Sequence, residues 1–140
     1  MARYWIGTAS RDRVQHGVDN NFAQLCHGKA STLKRMQVDD WLIYYLLRLY
    51  FEQKEPYQAF TAIGQIIGEE AYSVAIGETF VPWRRAVQYL KSQDAAIKPL
   101  LNQLSCIPDK QRWGYPFRAG HFEISVTDFE VIAKAMHVKL

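Results

Sequence analysis

The run Asp40-Trp41-Leu42-Ile43-Tyr44-Tyr45-Leu46-Leu47 opens on a carboxylate and then carries no charge for seven residues. It is short for a helix and rich in aromatic and branched side chains, so it reads as a strand buried along its whole length. The remaining chain must supply its cover. With 140 residues, 49% hydrophobic and 14% aromatic, it is one domain's worth, residues 1–140, and can bury a sizeable core without staples.

The flanking segments are short. Residues 4–9 are rich in β-formers and predict a first strand. Ser10 is a good cap for a helix over 11–16, with Gly17 as its stop and Asp19-Asn20-Asn21 as a turn. Residues 22–26 alternate apolar and polar, like a half-buried strand. Ser31 can cap one helical turn over 32–36. Residues 58–67 predict a strand with Ala59, Thr61 and Ile63 on one side and Phe60, Ala62 and Gly64 on the other. Residues 71–76 are expected to pair back across the link Gly68-Glu69-Glu70. A strand over 83–90 places Arg85, Val87 and Tyr89 on one face.

Residues 97–104 form a short helix, with Pro99 in the first turn and Leu100, Leu101 and Leu104 as its stripe. A last strand covers 120–124. The final helix opens on Thr127-x-x-Glu130, read as a capping box, and aligns Phe129, Ile132, Ala133 and Met136. Six or seven short strands with a few short helices predict an α+β domain with a curled or closed mixed sheet.

One stretch stands apart. Residues 112–124 hold four aromatics, two arginines, two glycines and a proline. Gly114 and Pro116 oppose a regular helix or central strand there. Aromatics on irregular backbone beside guanidinium groups suit a flat, electron-rich ligand such as a nucleobase. In a small domain a Trp/Tyr/Phe cluster is more often core than cage.

Composition excludes several classes. No run approaches the ~20 apolar residues that span a bilayer, and the first residues lack a signal peptide's apolar region. The chain is expected to stay in the cytoplasm, with no membrane partner. Cys26 and Cys106 lie far apart, show no metal spacing, and read as reduced and structural. No metal and no cofactor are expected. The net charge of +3, from 17 basic and 14 acidic residues, fits a nucleic-acid partner without demanding one. Recognition should then rest largely on a pocket.

Several short motifs follow one another in a specific order. They are Tyr4-Trp5-Ile6 followed by Ser10, Gln24-Leu25-Cys26-His27-Gly28-Lys29, Leu33-Lys34-Arg35-Met36, and Asp40-Trp41-Leu42-Ile43-Tyr44-Tyr45. Gln58 to Gly64, Ile97 to Leu101, Trp113-Gly114-Tyr115-Pro116-Phe117-Arg118, Phe122-Glu123-Ile124 and Asp128-Phe129 follow. Together they resemble the EVE domain family, a PUA-like group related to YTH and ASCH domains, over essentially the whole chain. The resemblance implies a PUA-like mixed β pseudo-barrel with short helices on its rim. It also implies a cleft for a modified base, of methylated cytosine or adenine type, in DNA or RNA. Leu46 and Leu47 stand where the family tends to place Ser-Pro, which removes a polar cleft wall.

Carried onto this chain, the resemblance makes Trp5 a cage residue and Ser10 a hydrogen-bonding group at a base edge. Gly28 and Lys29 would line the rim and touch phosphate, although Gly-Lys is usually a plain turn. Tyr45 would stack or donate, with Tyr44 facing the other way. Trp113, Tyr115 and Arg118 would form the opposite wall, and Arg84 and Arg85 would extend a basic track.

Three functions are compatible with this reading. The first is a base-recognition module. The second is an interaction or homodimerisation domain using the hydrophobic segment from Leu46 to Phe51. The third is an enzyme, for which His27, His121, Glu123, Asp39 and Asp40 are available but form no recognisable constellation.

Overall fold

A computed structural model describes residues 2–25, 28–47 and 56–139 of the chain. Its centre is the strand expected from the apolar run, β3 (Trp41–Leu46), buried on both faces after Trp41. β1 (Tyr4–Thr8) runs parallel to it on one side, with Tyr4 beside Trp41 and Thr8 beside Tyr45. β4 (Ala59–Ile66) runs antiparallel on the other side. β2 (Phe22–Ala23), β6 (Trp83–Tyr89) and β8 (His121–Ile124) extend the sheet to the order β2-β6-β4-β3-β1-β8. β5 (Tyr72–Ser73) joins β6, and β7 (Ala95–Ala96) joins β4. Among the described strands every pairing except β1 with β3 is antiparallel.

The sheet separates two apolar clusters. Ile6, Ile43, Tyr45, Phe60 and Ile63 pack with Leu100 and Leu104 and with Phe129, Ile132, Ala133 and Met136 of α3 (Val126–Ala135). Trp5, Leu42, Tyr44, Leu46 and Val87 pack instead with Val14 of α1 (Arg11–Asn20) and Leu33 of α2 (Ala30–Arg35). Tyr44 and Tyr45 thus face opposite cores, as alternation requires. β4 breaks that alternation. Tyr44 lies opposite Ala62 but Tyr45 lies opposite Phe60, so Thr61 is an extra residue in a bulge. The bulge brings Phe60 and Ile63, expected on opposite sides, into one cluster.

Other boundaries moved for identifiable reasons. α1 does not stop at Gly17 but continues to Asn20, and Asn21 closes it in the left-handed region at φ 61°. Gly17 is required for contact instead, because a Cβ there would sit 2.5 Å from the Phe22 carbonyl oxygen. α3 is capped by Ser125, whose hydroxyl accepts from the Asp128 N–H, two residues before the expected Thr127 box. α2 begins two residues early, at Ala30, with Lys29 in the cap position and no side-chain capping bond. The segment after β4 pairs with β6 rather than folding back on β4, with Tyr72 opposite Arg84. The 97–104 helix is a 3₁₀ helix over Lys98–Gln103, and a second 3₁₀ helix, Tyr115–Ala119, carries Pro116 near its start.

Two buried charges tie these parts together. Asp40, at the foot of β3, accepts from the Trp5 indole N–H at 3.0 Å and from the backbone N–H groups of Arg3 and Gln37, each at 2.9 Å. Arg85, 4% exposed, donates to the carbonyls of Leu33, Met36, Gly68 and Glu69. It completes the C-terminal end of α2, where carbonyls lack helical partners. Arg85 is therefore a structural cation and no part of a surface track.

Candidate functional site

β1 and β3 are the parallel pair, and both reach their carboxyl ends at the Thr8–Tyr45 register. The chain leaves β1 directly into α1, so a hollow opens beyond the strand ends, where parallel strands commonly leave ligand space. It is a cleft of about 1290 Å³. Thr8, Ala9, Ser10 and Arg13 bound it from β1 and α1, and Gln24, Tyr45, Leu47 and Gln58 from the sheet and its connections. Residues 111–115 and 117–120 form the remaining wall.

That wall has local causes. Asp109 accepts from the N–H groups of Gln111 and Arg112, at 3.0 and 3.3 Å, which turns the chain. Phe117 is the buried anchor. It stacks on Tyr45 at 4.2 Å and meets Trp113 edge-on at 6.5 Å. Anchoring Phe117 inward leaves Tyr115 outward, 69% exposed, with the Arg118 guanidinium 5.6 Å from its ring. Gly120, at φ 76°, reverses the chain into β8.

The electrostatics are one-sided. Arg13, Arg112 and Arg118 line the cleft, and among the described residues no carboxylate and no histidine does. The neighbouring Arg11 is engaged elsewhere, 2.5 Å from Asp94, which also accepts from the Tyr57 hydroxyl. Tyr45 is 1% exposed, and its hydroxyl has no hydrogen-bond partner among the described residues. Burial pushes its pKa up, so it stays protonated. Gln58 stands at the cleft in the left-handed region, at φ 57°, a conformation that is costly for a side chain with a Cβ.

Five of the expected site residues meet here: Ser10, Tyr45, Trp113, Tyr115 and Arg118. Three do not. Trp5 is a core indole, 1% exposed. Its N–H is taken by Asp40, His121 stacks on it at 4.7 Å and 5°, and the Arg35 guanidinium lies 5.0 Å from its ring. No face remains for a cage. Gly28 and Lys29 do not line the cleft. Gly28, at φ 81°, lets its loop approach Pro82, whose Cβ would lie 2.6 Å from an added Cβ. Lys29 caps α2. Conversely, Thr8, Arg13, Gln24, Gln58, Gln111 and Arg112 line the cleft without having been singled out. Arg112 carried a sequence signal by lying in the aromatic stretch, and Gln24 and Gln58 by opening two of the family motifs.

The Leu46-Leu47 departure has a structural meaning. Leu46 is fully buried, while Leu47, 51% exposed, supplies an apolar edge to the cleft. Of the segment proposed for dimerisation, 48–51 lies outside the described residues, as do Cys26 and His27. The catalytic candidates disperse. His121 is buried against Trp5, where burial and then Arg35 push its pKa down to about 4, while Glu123 is exposed on β8. Burial, then Asp128, pushes the Cys106 thiol up to about 12, which leaves it an inert thiol. Among the described residues no cluster of three metal-ligating side chains occurs, and no helix is long and apolar enough to cross a membrane.

The mixed sheet, its short flanking helices and the cleft beyond its parallel pair define a PUA-like domain. The solved structures it is similar to agree. The YTH domain of Zygosaccharomyces rouxii MRB1, in complex with N6-methyladenosine RNA, superposes with a TM-score of 0.67 at 12% identity, covering 99% of this chain and 87% of that one. The Pho92 YTH domain in complex with m6A gives 0.64 at 11%, covering 99% and 85%. A hypothetical protein from Leishmania major gives 0.61 at 12%, covering 98% and 96%. Within that class, the chain belongs to the EVE domain family, whose model matches residues 3–135. Relatives include the UPF0310 protein in the gntR 5' region of Bacillus licheniformis, 49% identical over 91% of this chain and 86% of that protein. The UPF0310 protein of Mycolicibacterium vanbaalenii is 47% identical over 94% and 91%.

Proposed function

We propose that the chain is a nucleic-acid-binding module that takes a single modified base, of methylated cytosine or adenine type in DNA or RNA, into the cleft between α1 and the Trp113–Arg118 wall. The observation that carries this reading is the lining itself. Flat side chains and three guanidinium groups surround a hollow with no opposing carboxylate among its described residues. Stacking worth roughly 1–3 kcal/mol per aromatic contact offsets the few kcal/mol of unstacking an extruded base. The arginines meet the flanking phosphates. Two neighbours of the same fold are complexes with N6-methyladenosine RNA and with m6A, which supports a base as ligand.

Binding rather than turnover is the reading, because hydrolysis needs an acid and a base in the site, and His121 and Glu123 lie elsewhere. Fluorescence anisotropy with paired oligonucleotides that differ only in methylation of one central base tests it. The expected result is selective binding of a methylated member. Equal weak binding to both members of every pair contradicts it.

A further inference from the structure

Gln24, at the cleft, is held through both its backbone and its side chain. It follows the short strand β2, so no ladder fixes it. Instead its N–H donates to the Tyr44 hydroxyl at 3.3 Å, and that hydroxyl donates back to the Gln24 carbonyl at 3.5 Å. Tyr44 is itself buried, 2% exposed, in the second core. The side chain is held as well. Its Oε1 accepts from Arg84 Nε at 3.0 Å, and the Arg84 guanidinium lies 4.1 Å from the centre of the Phe22 ring. Backbone, amide and the group that grips the amide are each anchored to buried aromatic structure.

This arrangement has a polarity. A guanidinium can only donate, so the amide atom it faces must be the oxygen. The Nε2 end, with two N–H donors, makes no hydrogen bond among the described residues, and Gln24 is one of the residues that line the cleft. A free carboxamide could turn either end to a ligand. One fastened by Arg84 cannot do so without losing a charge-assisted bond. We infer that Gln24 reads the bound ring by donating an N–H to an acceptor on its edge, a carbonyl oxygen or an unprotonated ring nitrogen. Arg84 is the positioning residue that fixes this polarity. The inference rests on the base-binding reading above and adds the specificity-determining contact within it.

The test uses the full chain, anisotropy, and single-stranded oligonucleotides with a central 5-methylcytosine or N6-methyladenine beside their unmethylated counterparts. Gln24→Glu keeps the size and the Arg84 contact but offers the ligand an oxygen in place of an N–H. It should weaken the tightest probe by about tenfold or more, with no fall in melting temperature. Arg84→Met keeps apolar cover on Phe22 but frees the amide. It should weaken the methylated and unmethylated members of the preferred pair by a similar factor, because the acceptor is common to both, and should add nothing to the loss in Gln24→Glu, where no amide remains to be oriented. Wild-type affinity in Gln24→Glu overturns the role of Gln24, and wild-type affinity in Arg84→Met, or a loss that adds fully to that of Gln24→Glu, overturns that of Arg84. A fall in melting temperature that tracks the loss of binding in Gln24→Glu makes the residue merely structural, which also overturns the inference. Wild-type protein that binds no probe removes the base reading and this inference with it, so the two failures are distinct.

Discussion

Tyr45 and His121 show how a single side chain can be costly to the fold in different ways. The Tyr45 hydroxyl is buried without a partner, and an unpaired buried polar group costs about 1–3 kcal/mol. Tyr45→Phe should therefore leave the free protein equally stable or more stable in urea unfolding. A loss of stability above about 1 kcal/mol would show that the hydroxyl has a structural partner. His121 has neither ring nitrogen hydrogen-bonded among the described residues, and its folded pKa lies near 4 against 6.5 for the free side chain. Between those values the unfolded chain binds the proton that the folded chain refuses. Stability is then fully present above pH 6.5 and falls as pH drops toward 4, with about 2 kcal/mol lost from this group between pH 7 and 5. His121→Phe, which keeps a ring against Trp5, should flatten that part of the pH profile. An equally steep profile in the variant assigns the slope to other groups.

Strands and helices differ in how far they could be read beforehand. β1, β3, β6 and β8 and the apolar face of α3 follow from local pattern, because each presents enough residues to display a period. β5 and β7 are two residues long and have no period to display. Gly17 was read as a stop because a glycine inside a helix looks like one, yet its role is set by the Phe22 carbonyl. Gly17→Ala accordingly should destabilise, although alanine is the better helix former by about 1 kcal/mol. A stabilised variant would mean that α1 and β2 can move apart. Asp128 links α3 to the turn after the first 3₁₀ helix, accepting from the Ser105 N–H and hydroxyl and the Cys106 N–H at 2.8 to 2.9 Å. Asp128→Ala should cost about 2–4 kcal/mol, since buried donors lose a charged partner. Thermal unfolding measures it, and a change within about 0.5 kcal/mol would contradict the link.

The cleft belongs to the assembled domain, and that limits what its sequence discloses. The Trp113–Arg118 wall was legible, since proline, glycine and aromatics together exclude regular structure and favour presentation. Trp5 was misassigned because the carboxylate that claims its indole lies 35 residues away. Gln24 was passed over because the arginine that orients it lies 60 residues away. Which aromatic ends up inside and which amide faces a ligand are decided by packing between distant segments, and no local pattern records them. On the base-binding proposal, a flat ring enters beyond the carboxyl ends of β1 and β3. Amide chemical-shift mapping during titration with the tightest methylated oligonucleotide tests that most directly. The predicted result is saturable change at Thr8, Ser10, Gln24, Tyr45 and the Trp113–Arg118 wall, with α3 unmoved. Changes confined to α3, or absent from the wall, would contradict it.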